Sequence, residues 1–268
     1  MTQDDGTQTD GAAFYARETI ATSLYDRLFA APSIDGDLDF YEAFCGDTGQ
    51  RILDAACGTG RVAKHLARPD RRIVAFDSSP YFIAGLRTEL VLRPAGGPIA
   101  VRRDRLETFR LLGRFDRVVV AYYGFAHVLT PAGRGAAFAR LVEHLRPGGR
   151  LLIHVPRHDL LTRTVPDEEL AGLAFEAALQ PDGSLRLRQN VEAMIFDPAR
   201  GIRSIRLRYR TVRDGRVTRD ERLVLRYAAV TPDEIAGLAL RHGTRIVRTL
   251  SGFRPGVDSE TIVEIEKP

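Results

Sequence analysis

A chain of 268 residues with 44% hydrophobic content can bury one sizeable core, or one domain carrying a large insertion. Its formal charge of +4 rests almost wholly on arginine, Lys64 and Lys267 being the two lysines, and the arginines are dispersed among acids without an aromatic-basic cluster; no nucleic-acid partner is therefore expected. No stretch approaches the roughly 18 apolar residues of a membrane span, and Cys45 and Cys57 lack metal-ligand spacing, so no membrane, no metal and a reduced, cytoplasmic setting are expected.

The acidic, polar start MTQDDGTQTDG reads as a disordered tail over 1–11 rather than a signal peptide. Residues 12–46 read as helical, with Phe14, Ile20, Leu24, Leu28, Phe40 and Phe44 at helix-like spacing and Pro32 breaking the run. Short apolar strands follow at 51–55, 72–77, 99–103, 116–121 and 150–155. Helical stretches fall between them at 60–67, 80–92 and 133–145. Such alternation predicts a parallel sheet covered on both faces.

From about Leu173 to Ala229 the pattern changes to period two, as in Ile205, Leu207 and Tyr209 against Arg206, Arg208 and Arg210. With turn signals at Asp182-Gly183, 197–201 and Asp214-Gly215, this predicts an antiparallel meander of about four strands. Thr231-Pro232 then starts a helix that ends at Gly243, and strands close the chain near 245–250 and 261–266.

The most informative stretch is Ile52-Leu53-Asp54-Ala55-Ala56-Cys57-Gly58-Thr59-Gly60-Arg61, a strand running through a tight turn into a helix. Gly58 and Gly60 permit positive φ and close approach of a ligand to the backbone. Asp77 ends the next strand, where an acid can accept hydrogen bonds from a ribose diol. Gly58-x-Gly60-x-x-Ala63 alone also fits a dinucleotide fingerprint. Against NAD stand Asp54 at the strand end ahead of Gly58, the Pro147-Gly148-Gly149 turn before the fifth strand, and a closing strand-link-strand that suits a reversed final strand. With two lysines, a Tyr-x-x-x-Lys pair of an NAD-dependent reductase is missing as well.

This combination resembles the class I S-adenosylmethionine (SAM)-dependent methyltransferases, well over Arg51–Val155 and loosely over the last forty residues. Ala56 departs from the family, which usually carries glycine there. The resemblance implies an α/β fold: a Rossmann-like, doubly wound, mostly parallel sheet with a reversed last strand, an N-terminal helical lid and an antiparallel β insertion. The expected division is a lid over 12–48, a SAM-binding core over 49–156 and 230–268, and an insertion over 157–229 serving as acceptor lid or dimer contact. Carried over by position, the loop of Asp54, Ala55, Ala56, Cys57, Gly58 and Gly60 would cradle the methionine part of SAM. Asp77 would hold the ribose and Ser78 would cap the next helix. Asp104 would contact the adenine amine with Arg105 and Leu106 beside it, and Ala121 and Tyr122 would lie by the methionine amine. Tyr25, followed by Asp26, would cover the cofactor, a core tyrosine being the alternative. Cys57 reads as a loop filler, not a nucleophile.

Ligands of open α/β sheets lie outside the carboxyl ends of the strands, which brings the acceptor to Ala121-Tyr122-Tyr123-Gly124-Phe125-Ala126-His127. The spacing to His127 resembles small-molecule members such as amino-sugar N-methyltransferases, where a histidine faces the acceptor. His127 and Tyr123 are thus the catalytic candidates, His127 as a base or as a structural cap, and the Tyr122-Tyr123 pair as a face for a sulfonium. His154, Arg157 and His158 flank strand five and are further candidates for entering the pocket. The expected function is methyl transfer from SAM to an N or O atom of a small metabolite, by a monomer or homodimer. Non-methyl use of SAM, such as cyclisation releasing methylthioadenosine, and a non-catalytic SAM-binding protein are the alternatives.

Overall fold

A computed structural model describes residues 14–25, 36–46, 49–254, 256, 258 and 260–268, which build two β-sheets. The tail, Asp26, Leu28 and Pro32 lie outside these residues. The larger sheet takes β1 (Arg51–Ala55), β2 (Arg72–Asp77), β3 (Ile99–Arg103), β4 (Phe115–Val120), β5 (Leu145–Pro156), β10 (Arg245–Leu250) and β11 (Glu260–Glu266), in the order β10-β11-β5-β4-β1-β2-β3. Pairs from β3 through to β5 are parallel, whereas β11 runs antiparallel to both β5 and β10. The reversed last strand expected from the sequence is β11.

The central strands are apolar on both faces because helices cover both. Leu53, Val118 and Ile153 pack with Phe138, Leu141, Ile235 and Leu238 of α5 (Pro131–Glu143) and α8 (Pro232–Arg241). Their sequence neighbours Ile52, Val119 and Leu152 point the other way, onto Tyr41, Phe44, Val62 and Leu66 of α2 (Asp37–Cys45) and α3 (Arg61–Leu66). A one-residue register slip would exchange the two sets. Helix starts follow the side-chain chemistry: Ser79, Thr130 and Thr231 each accept an N–H of the first turn, with proline next in sequence before α4 (Pro80–Leu92), α5 and α8.

The second sheet is the meander β6 (Phe175–Ala178), β7 (Leu185–Asp197), β8 (Ile202–Arg213) and β9 (Arg216–Ala228), antiparallel throughout. Its apolar face, with Leu187, Leu207, Tyr209 and Leu225, packs on Phe14, Ile20 and Ala21 of the N-terminal segment. Two short helices, α6 (His158–Thr162) and α7 (Asp167–Gly172), lead into it.

Two expectations change. The N-terminal region is not one helical run: Phe14 and Tyr15 form a 3₁₀ turn, and Thr19 caps the single-turn α1 (Ile20–Ser23), accepting the Thr22 N–H at 3.1 Å. A cap side chain competing for the backbone stops the helix there. Strand β5 begins at Leu145, before Pro147-Gly148-Gly149, because the C-terminal chain pairs with that stretch: Gly148 N–H donates to the Lys267 carbonyl at 2.7 Å and Lys267 N–H to the Gly149 carbonyl at 3.0 Å. The glycines form an irregularity within the strand, seen as a register shift against β4.

Candidate active site at the carboxyl ends of the strands

The β1–α3 turn is built around Asp54. Its Oδ2 accepts the Ala63 N–H at 3.0 Å, capping α3 from outside the helix, while its buried Oδ1 has no partner among the described residues. Burial pushes the Asp54 carboxyl up to about 7, the charge of Asp77 adding to it and the Ala63 N–H opposing it. Asp77, at the end of β2, ties two loops together: Oδ2 accepts the Gly58 N–H at 2.9 Å and Oδ1 the Ser79 N–H at 2.8 Å. Burial raises its carboxyl too, against the pull of those N–H groups. The Asp77 carbonyl accepts the Asp104 N–H at 3.1 Å, which adds the loop after β3 to the same corner.

The two glycines of the turn have different tasks. Gly58, at φ +56°, faces open space on the cleft side, so its backbone stays accessible. Gly60, at φ +79°, is the α3 N-cap, and a Cβ there would sit 2.6 Å from Leu86 Cδ1 of α4. Gly60→Ala combines left-handed strain with overpacking and should cost about 2–4 kcal/mol. Urea denaturation measures it; a change below about 0.5 kcal/mol, the range of ordinary surface substitutions, would contradict this packing. Ala56 holds a left-handed φ of +60° without being glycine. The chain tolerates its methyl because Gly124 faces it: a Cβ on Gly124 would lie 2.8 Å from Ala56 Cβ.

Two adjoining clefts, of about 650 and 760 Å³, open over these turns and share Tyr25, Ala56, Gly58 and Tyr122 as walls. The first adds Asp77 and Ser78 after β2, Leu106 and Glu107 after β3, and His127. The second adds Asp54, Cys57, Arg61, Lys64 and Ala121. Arg61 is ion-paired with the buried Asp37 of α2. Cys57 is pushed far up by burial and by Asp54 and Asp77, which leaves it a neutral thiol and fits its reading as a filler.

Of the residues singled out in the sequence, Tyr25, Asp54, Ala56, Cys57, Gly58, Asp77, Ser78, Arg105, Leu106, Ala121, Tyr122 and His127 line these clefts. Ala55 is buried within β1, and Gly60 is turned to Leu86. Asp104 stays outside the lining, its Oδ1 accepting the Arg105 N–H at 2.9 Å; the acid that reaches the cleft from this loop is Glu107. The helix cap is Ser79, not Ser78, because Pro80 at the first helical position places the cap one residue before it. Tyr123 turns its hydroxyl to Glu260 Oε2 at 2.7 Å. His154 is fully buried beneath the site, His158 is exposed, and Arg157 pairs with Asp159 and Asp258.

His127 ends the 3₁₀ turn Gly124–His127, and its Nδ1 lies 3.1 Å from the Arg226 carbonyl of β9. A carbonyl only accepts, so Nδ1 carries the proton and the ring lone pair sits on Nε2. Tyr15 meets this ring edge-on at 5.3 Å and Tyr227 tilts over it at 4.7 Å. Tyr15, Phe76, Phe82 and Val128 are lining residues that the sequence reading missed. Phe76 and Phe82 sit within legible elements, β2 and α4, but which cleft they face depends on how those elements pack; Tyr15 lies beside Phe14 in the N-terminal stretch, and its spacing there carried no sign of a cleft.

The arrangement pairs a buried and a half-buried carboxylate at two strand ends with open backbone and aromatic walls. Residues 52–149 match the family model for a methyltransferase domain. The fold of the chain is that of SAM-dependent methyltransferases. The CcbJ methyltransferase from Streptomyces caelestis superposes with a TM-score of 0.74 at 17% identity, covering 96% of this chain and 99% of that one. SAM-bound CalS10, an amino pentose methyltransferase from Micromonospora echinaspora, gives 0.67 at 17% identity, covering 94% and 100%. In sequence, a mitochondrial ubiquinone biosynthesis O-methyltransferase of Schizosaccharomyces pombe is 32% identical over 117 residues, 43% of this chain and 41% of that protein. The chain spans about half the length of the curated relatives it matches, from 35% to 59%. The matched stretch contributes β1 to β4, the first part of β5 and most of both cleft linings.

Proposed function

We propose that the chain is a SAM-dependent methyltransferase acting on an N or O atom of a small metabolite. The observation that carries this reading is the buried, unpartnered Oδ1 of Asp54 in the wall of a cleft whose floor is the open backbone of Gly58. A ligand bearing cationic groups and a ribose diol matches what the site leaves unsatisfied. Asp77 retains lone pairs beyond the two it gives to Gly58 and Ser79 and would hold the diol. Asp54 and the Tyr122 ring would hold the positively charged end, and Leu106, Phe76 and Phe82 would enclose the purine. SAM, when bound, supplies an electrophilic methyl carbon.

The protein's part is alignment, exclusion of water and removal of a proton. His127 is a catalytic residue in this reading: with its proton fixed on Nδ1 by the Arg226 carbonyl, Nε2 takes the proton of the attacking amine or hydroxyl. Tyr25 and Tyr15 shield the cleft from the N-terminal side, and β9 brings Tyr227 against His127. The four-stranded sheet thereby serves as the acceptor-side wall. The O-methyltransferase named above supports an oxygen acceptor, and the amino pentose methyltransferase supports a small amino-bearing acceptor.

Incubation of purified protein with SAM and a panel of small amines and hydroxyl compounds should release S-adenosylhomocysteine; methylthioadenosine instead would contradict methyl transfer. His127→Ala should lower kcat by about 10²–10⁴-fold with SAM affinity within about threefold. Unchanged kcat would remove His127 from the mechanism.

A further inference from the structure

Beneath the exit of β4, four side chains from separated parts of the chain converge without lining either cleft. They are Tyr41 of α2, Tyr123, His154 of β5 and Glu260 of β11, and Phe253 closes the group with its ring 4.9 Å from that of His154. His154 and Tyr41 are fully buried and Glu260 nearly so.

The hydrogen-bond roles in this group are fixed by chemistry. The Tyr122 backbone N–H can only donate, and it lies 3.2 Å from His154 Nδ1, so that nitrogen carries a lone pair. The Tyr41 hydroxyl, at 3.0 Å, donates to the same atom. The ring proton therefore sits on Nε2 and is given to Glu260 Oε2 at 2.9 Å, an oxygen that also accepts the Tyr123 hydroxyl at 2.7 Å. The Tyr123 N–H in turn donates to the His154 carbonyl at 3.2 Å. One histidine thus receives both backbone N–H groups of Tyr122-Tyr123.

That dipeptide needs holding. Tyr122 and Tyr123 have φ of +43° and +68°, two consecutive bulky residues in the left-handed region. Left unrestrained, they would relax to negative φ and swing the Tyr122 ring, which walls both clefts.

We infer that His154 is a positioning residue whose Nδ1, accepting the Tyr122 N–H, clamps the Tyr122-Tyr123 turn in its left-handed form and so sets the wall shared by the two clefts. The consequence for ligand affinity rests on the proposed SAM site; the clamp itself does not.

Two polar replacements separate the two ring nitrogens. His154→Asn puts a carboxamide oxygen near the place of Nδ1, whereas His154→Gln puts its donor near Nε2 and takes the ring acceptor from the Tyr122 N–H, which keeps only the Tyr41 hydroxyl. Amide hydrogen exchange at Tyr122, followed by NMR, and S-adenosylhomocysteine affinity by calorimetry are read on both full-length variants well below their unfolding temperatures. We expect His154→Gln to speed Tyr122 exchange and weaken the ligand by about tenfold each, with His154→Asn within about threefold of wild type on both. Equal Tyr122 exchange in the two variants and wild type would overturn the clamp. Faster exchange in His154→Gln with unchanged affinity would overturn its link to the cleft wall. Absence of binding by the wild type would strike the SAM reading, and exchange at Tyr122 would still decide the clamp.

Discussion

Replacing Asp77 by alanine should weaken SAM binding by at least about a hundredfold. In the proposed complex the carboxylate would accept two ribose hydroxyls, and hydrogen bonds to a charged acceptor contribute about 1.5–3 kcal/mol each. The same change removes the acceptor for Gly58 and Ser79, whose N–H groups lie 2.9 and 2.8 Å from the two oxygens. The turn over β1 and the start of α4 then lose their common tie. Asparagine is no conservative replacement here. Both oxygens face backbone donors, so an amide must set its own N–H₂ against one of them, and Asp77→Asn should fall near Asp77→Ala. Equilibrium dialysis with labelled SAM measures both variants; affinity within threefold of wild type would show that Asp77 is only a loop tie.

A second large effect concerns Asp54. With its carboxyl pushed up to about 7 by burial, Asp54 of the folded, ligand-free protein is about half protonated at neutral pH and mostly protonated below it. A carboxyl whose folded value exceeds its unfolded one contributes stability below the unfolded value. That contribution is lost as pH rises from about 4 through about 7. Binding a cationic ligand reverses the preference, since the charge beside the carboxyl favours its ionised form. SAM affinity should accordingly rise by up to about tenfold per pH unit below pH 7, level off above it, and be accompanied by proton release. Calorimetry in buffers of different ionisation enthalpy reads the released proton directly. Asp54→Asn should abolish both the slope and the release, bind SAM about a hundredfold more weakly at pH 8, and be more stable than wild type there without ligand. A pH-independent affinity between pH 5 and 8 in the wild type would place Asp54 away from the ligand charge.

The parts of this site legible in the sequence were those fixed by local backbone chemistry. Asp54, Gly58 and Gly60 announce themselves because a strand, a tight turn and a helix N-terminus succeed one another within ten residues, and Asp77 because it closes the next strand. The β1, β2 and β3 ranges and the α4 range emerge unchanged because apolar runs bounded by turn residues leave little freedom. Orientation across long separations was not legible. The place of Tyr123 just after β4 suggested chemistry, yet its hydroxyl is taken by Glu260, 137 residues away. His154 gave only its position near a strand end; that it is spent on Tyr41, Tyr122 and Glu260 follows from three elements converging. Asp104 and Glu107 differ by three residues in one loop, and only the path of that loop decides which acid faces the cleft.

The most direct test is the structure of the protein crystallised with S-adenosylhomocysteine. The ligand's ribose hydroxyls should lie within hydrogen-bond distance of Asp77, its methionine end over Gly58 beside Asp54, and its sulfur toward Tyr122 and His127. Ligand bound elsewhere, or a ribose turned away from Asp77, would contradict the assignment of this cleft to SAM.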